Sequence, residues 1–184
     1  MISILQATSA NILSGANRGQ ELLVTLLRME TEQDSPQPLF LDFAGIDVAT
    51  ASFLRESVLA FRDILRARRS TAYLVIANAN ENVLDELAEL VRSRGGVLLT
   101  CSVDANGTVS PTKLLGSLDV KQQLTFDLVM KKGETDAGEL SRELKDEAQP
   151  TAWNNRLASL VSLGLIMEIS QGRSKRYRPI LQGA

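Results

Sequence analysis

Few residues in this chain could do chemistry, and they fall into two groups. One is Asp47, Thr50 and Ser52 in the run AGIDVATASFLRE, which brings a carboxylate and two hydroxyls together just before an apolar-periodic stretch. Hydroxyls at that spacing serve as helix caps, because each can accept a bond from a first-turn amide. The same free amides and the helix dipole would favour a phosphate on either oxygen. The other group is cationic. From Gln149 onward, Arg156, Arg173, Lys175, Arg176 and Arg178 face a single carboxylate, Glu168, on a chain whose formal net charge is -2. A local excess of that kind favours phosphate or an acidic partner.

Composition removes most other chemistry. There is no histidine, and Cys101 is the one cysteine, so imidazole-based acid/base catalysis, Ser-His-Asp and Cys-His nucleophiles and the usual zinc sites are not expected, and no intrachain disulfide can form. Gly15 and Gly19 match neither the dinucleotide nor the P-loop spacing and read as ordinary loop glycines. Asp47 and Glu56 read as surface charges, since nothing else in the chain would assist them as a catalytic pair. The expectation is a protein without enzymatic activity, cofactor or metal. No apolar run approaches the roughly 20 residues needed to cross a bilayer, and no secretory-signal pattern opens the chain, so a cytoplasmic location is expected.

The elements that must position these residues follow from periodicity. Ile2 to Gln6 reads as a short strand, and Leu22, Leu23, Leu26 and Leu27 make the apolar face of a helix over about 18–29. Leu39 to Phe43 is a strand, and a helix capped by Thr50 or Ser52 runs to about Arg69 with Phe53, Leu54, Val58, Phe61 and Leu65 inward. Strands at Ala72–Ala77 and Val97–Val103 flank a helix from Glu81 to Arg94, and Asn106-Gly107 is a hairpin signal. Strands alternating with helices predict an α/β fold with a parallel or mixed sheet.

The strand followed by LDFAGIDVATASFLRESVLAF and a later strand ending in IANANENV resembles the STAS-like domain of bacterial regulatory proteins, over about residues 1–115. In outline it is similar to the anti-sigma-factor antagonists. That resemblance implies a docking surface for a histidine-kinase-like ATPase partner at the acidic strand end and the Ser/Thr-bearing helix start, around Asp47, Thr50 and Ser52. The sequence departs from the antagonist pattern at the phospho-acceptor, whose best match is Ala51. Thr50 or Ser52 would then carry a phosphate, act as a plain cap, or form unmodified docking surface.

Residues 119–184 read differently. Asp119 with Gln122 forms a capping box, Leu124, Leu128 and Val129 point inward, and Lys131-Lys132-Gly133 closes the helix. Thr135 caps a second helix with Ala137, Leu140 and Leu144, and Thr151 caps a third after Pro150. On that third helix Trp153, Leu157, Leu160 and Val161 share one buried face, leaving Thr151, Asn155, Ser159 and Ser162 opposite and Asn154 and Arg156 on the flanks. Gly164 ends it, Leu165–Ile169 is a strand, and Lys175–Ile180 returns after a turn at residues 171–174.

The string LGLIMEISQGRSKRYRPI resembles the end of the recognition helix and the wing of bacterial winged helix-turn-helix regulators. By that resemblance Thr151, Asn154, Asn155 and Arg156 would lie near a DNA major groove, and Arg173, Lys175, Arg176 and Arg178 near the phosphate backbone or minor groove. Four cations would bind DNA weakly in one copy, so a homodimer or larger assembly would be needed for a specific site. The whole reads as an α/β regulator, a STAS-like sheet with packed helices followed by a C-terminal winged helix-turn-helix domain, acting on DNA. The competing reading is a partner-switch adaptor whose two halves both bind proteins, and a third is a small-ligand sensor near Asn78 and Asn80.

Overall fold

The computed structural model describes residues 1–31, 33–145, 147–171 and 174–181. The chain runs β1 (Ile2–Ser3), α1 (Ile4–Thr8), β2 (Ile12–Leu13), α2 (Ala16–Met29), β3 (Gln37–Asp42), β4 (Val48–Ala49), α3 (Ala51–Leu54), a π-helical turn (Arg55–Leu59) and α4 (Ala60–Ala67). It continues through β5 (Ala72–Ala77), α5 (Glu81–Ser93), β6 (Val97–Cys101), β7 (Lys113–Gly116), α6 (Val120–Lys132), α7 (Ala137–Glu143), α8 (Pro150–Leu163), β8 (Ile166–Gln171) and β9 (Ser174–Pro179). This is a mixed α/β fold built on a five-stranded sheet of order β1-β3-β5-β6-β7. The first four strands are parallel and β7 returns antiparallel to β6.

The central strand explains the layering. AYLVIA in β5 has no polar alternation, and all six residues are buried, as a parallel strand covered on both faces requires. Because successive side chains point to opposite faces, Ala72, Leu74 and Ile76 join one core with α2, the α3–α4 helix and α5, while Tyr73 and Val75 join another. That second core also takes Val97 and Leu99 of β6 and is filled from the other side by Phe126, Val129, Leu140, Trp153, Leu157 and Ile166. The three C-terminal helices and the β8–β9 hairpin therefore pack on the second face of the sheet. The hairpin is tied to the helices by Thr135, which exchanges two backbone hydrogen bonds with Tyr177 at 2.9 and 2.8 Å.

Several local expectations need correction. Only Ile2 and Ser3 of the first segment are strand; Ser3 accepts a bond from the Gln6 amide at 3.3 Å and starts α1 instead. Strand β7 lies where no strand was expected, and its pairing with β6 runs from Val97 opposite Gly116 to Thr100 opposite Lys113. The cap of α7 is Asp136, in a reciprocal capping box with Glu139, and not Thr135. Helix α8 begins one residue before Thr151, with Pro150 in its first turn and Gln149 at the cap position, as suits a residue with no amide to leave unsatisfied. Thr50 occupies the cap position of α3, but its hydroxyl makes no capping bond. The capping box of Asp119 and Gln122 is present, and Trp153 is fully buried.

The π turn packs tightly against its neighbour. Helix α2 crosses so closely that a Cβ on Gly19 would sit 2.6 Å from the Phe53 carbonyl oxygen. In the widened turn that oxygen accepts a 2.7 Å bond from the buried Ser57 hydroxyl. An alanine in an ordinary helix interior is favoured over glycine by roughly 1 kcal/mol; here the sign should invert. Gly19→Ala is expected to lower stability by about 1–3 kcal/mol through overpacking, read from the urea midpoint.

Candidate functional site

The first group of candidate residues lies at the C-terminal ends of the parallel strands, the usual ligand- and partner-facing edge of such sheets. Asp42, at the end of β3, accepts bonds from Asn78 Nδ2 at 2.9 Å and the Ala44 amide at 3.1 Å. Asn78, held at φ 54°, accepts from the Val103 amide at 2.7 Å. Asn80 caps α5 by accepting from the Val83 amide at 3.0 Å, and its amide donates to the carbonyls of Ile46 and Asp47. The amide groups of Asn78 and Asn80 thus organise the loop. Asp47 is exposed and accepts a 2.6 Å bond from Asn11. The hydroxyls of Thr50 and Ser52 are half-buried and 3.3 Å apart, bonded to each other.

Beside this polar network sits an apolar patch that periodicity did not single out. Ile12 and Val48 are paired across the two-stranded β2–β4 ribbon and are 56% and 41% exposed. Leu5, 37% exposed, reaches over Gly45 in the loop just before β4. An apolar cluster ringed by polar groups is the surface pattern of a protein contact. A lone Ile or Val in a turn-rich run looks the same in sequence whether it faces a core or solvent, so no sequence signal separated these from core residues.

The second group is dispersed and largely engaged. Arg176 bonds Glu134, Asp136 and Glu139, the last two at 3.2 and 3.1 Å. Arg178 donates to the Pro36 carbonyl at 3.2 Å, which ties β9 to the approach to β3. Lys175 pairs with Glu168 at 2.9 Å. Arg156 lies over the Trp153 ring at 4.7 Å and pairs with Glu147 at 3.1 Å. Thr151, Asn154 and Asn155 are exposed on the N-terminal half of α8. Ser159 instead accepts a 3.1 Å bond from Gln122 of α6. Arg173 lies outside the described residues. Among the described residues no cluster of three or more acidic or cysteine side chains could hold a metal ion, and no helix is long and apolar enough to cross a membrane.

Comparison with protein-family models found no match, and comparison with curated protein sequences found no relative.

The Arg176 cage has an electrostatic signature. Desolvation pushes the Glu139 carboxyl up, but hydrogen bonds from Arg176 and Thr135 outweigh it and hold the pKa below the ordinary 4.5. A carboxylate with a depressed folded pKa contributes stability that is present above its unfolded value and lost as pH falls through the folded one. Arg176→Ala should therefore lower the melting temperature at pH 7, where three carboxylates are left facing one another. The deficit should shrink once pH drops below about 4, in a series of thermal melts of both proteins across that range.

Proposed function

We propose that this chain is a non-enzymatic regulatory adaptor, with a STAS-like sheet and a winged-helix-like module joined face to face, that works by binding another protein at the strand-end surface around Asp47, Ile12 and Val48. The observation that carries this reading is the fate of the basic residues. Arg176 is enclosed by three carboxylates and Arg178 is spent on Pro36. A phosphate backbone approaching that part of the hairpin would meet Glu134, Asp136 and Glu139 beside its cation, and like charges at such separations oppose binding. The strand-end surface offers the reverse: exposed apolar side chains next to a carboxylate and two hydroxyls, on loops fixed by hydrogen bonds. The STAS-like resemblance gives the same surface a class of partner, a histidine-kinase-like ATPase, with Thr50 or Ser52 as the hydroxyl such a partner would reach.

One observation favours DNA as a second reading. Thr151, Asn154 and Asn155 form an exposed polar stretch on α8, where short side chains reach base edges in a winged helix.

Fluorescence anisotropy of the full chain on mixed-sequence duplex DNA at two salt concentrations separates the readings. The adaptor reading expects no binding tighter than about 10⁻⁴ M at physiological salt, the weak end of the non-specific range. Steep salt-dependent binding that Asn154→Ala and Asn155→Ala weaken would move the function to DNA. In parallel, a photo-crosslinker at position 12 should capture a protein partner, and Val48→Asp should abolish capture while circular dichroism stays unchanged.

A further inference from the structure

At the opposite end of the sheet, the seam between its second face and the C-terminal module holds a cleft of about 700 Å³. Its walls come from the approach to β3 (Asp34, Pro36), the end of the α4 helix and the turn after it (Arg66, Arg69, Ser70), Tyr73, the C-terminal half of α8 (Val161, Ser162), and the hairpin (Glu168, Ile169, Lys175). A cavity of that size, part apolar and part polar, is in the range that takes a small organic molecule.

The charge balance in the seam is unusual. Arg66 is partly buried, with its guanidinium 4.0 Å from the centroid of the Tyr73 ring, and it donates to the carbonyls of Ser70 and Ala72. Among the described residues it has no carboxylate partner, although a desolvated cation ordinarily acquires one. Burial pushes its pKa below the ordinary value, opposed by Tyr73. Arg178, on the strand that abuts Pro36, repeats the pattern: its one described partner is the Pro36 carbonyl, and its buried Nε has none. Neither guanidinium has a carboxylate partner among the described residues; of the two carboxylates that line the cleft, Asp34 and Glu168, the second is paired with Lys175.

Arg69 adds an independent sign. It sits just past the end of α4 at φ 54°, a left-handed position at a helix end that usually goes to glycine. It is exposed, and among the described residues it has no ion-pair partner. A strained position filled by a long cation at the mouth of a cation-rich cleft points to the side chain, since the backbone there would be better served by glycine.

We propose that this cleft binds a small organic anion, its phosphate or carboxylate held by Arg69 with Arg66, and its apolar part against Pro36, Val161 and Ile169. Because the walls come from both the sheet side and the C-terminal module, the occupant bridges them.

The test is a thermal-shift series on the full chain with adenosine 5′-monophosphate, inorganic pyrophosphate and citrate, and with adenosine as the uncharged control. At about ten times its dissociation constant a bound anion should raise the melting temperature by about 3 °C. A response to the phosphates alone identifies a phosphate ligand, and a response to citrate alone a carboxylate. Arg69→Gly should raise the melting temperature of the free protein by about 2 °C by relieving the left-handed strain, and should abolish the ligand shift. Arg69→Glu should abolish it too, while Arg28→Glu, on the exposed side of α2, should keep it. No shift with any of the three anions, or a shift that survives in both Arg69 variants, overturns the proposal.

Discussion

Everything in this structure depends on covering both faces of the central strand. Tyr73 and Val75 of β5, with Val97 and Leu99 beside them, form an apolar surface that the helices packed on the first face cannot reach. Left open to water, a patch of that kind would be a sticky face. The C-terminal helices close it with Trp153, Leu157 and Phe126, and these four sheet residues in turn join the core that the C-terminal helices and hairpin build. The first core is built entirely from residues before α6, whereas the second is shared between the sheet and the C-terminal segment. Tyr73 marks the junction most clearly: its ring carries Arg66 on one side, and its hydroxyl accepts a long, 3.4 Å bond from the Glu168 amide of the hairpin.

That packing decides the electrostatics. In β9 the alternation buries Tyr177 and Pro179 and leaves Arg176 and Arg178 on the opposite face, half-buried against neighbouring segments. Arg176 reaches carboxylates on and before α7, and Arg178 reaches the segment before β3. Arg176 and Arg178, which counted toward a free basic excess along the sequence, are therefore structural cations. Surface ion pairs of this kind add little stability singly, but three carboxylates around one guanidinium are a network, and its effect is to fix the hairpin to α7.

How much of this was legible follows from range. Signals that act over three or four residues were readable: the Asp119–Gln122 capping box, the buried face of α8 with Trp153, the strand at Ala72–Ala77, and the glycine that ends α8. Signals that depend on a distant partner were not. The pairing of Arg176 with Glu134 spans 42 residues and that of Arg178 with Pro36 spans 142, so charge counting in a window could not find them. Strand β7 is four residues long with half-buried leucines, too short for alternation to declare itself, and it is defined by its pairing with β6. Thr135 looked like a cap because it precedes a helix, but its backbone is committed to Tyr177, which hands the capping role to Asp136. At the candidate site Asp47, Thr50 and Ser52 were legible from residue type, whereas the apolar neighbours Ile12 and Val48 became visible only once the small β2–β4 ribbon placed them together.

The strand-end surface and the seam cleft lie at opposite ends of β3 and β5, about 20 Å apart for a six-residue strand. One element touches both. The helix that begins after Thr50 ends beside Arg66 and Arg69, and it has the π turn at Arg55–Leu59 in its middle, pressed against Gly19. A regular helix transmits displacement along its axis as a rigid rod, whereas a π turn is a place where the register of hydrogen bonds can change by one residue at modest cost. The Ser57 hydroxyl bound to the Phe53 carbonyl holds the present register. Any communication between the two ends therefore has to move this helix as a body against α2 or shift the register at its centre. The tight contact at Gly19 resists the first, which leaves the π turn as the element where the two ends can be coupled.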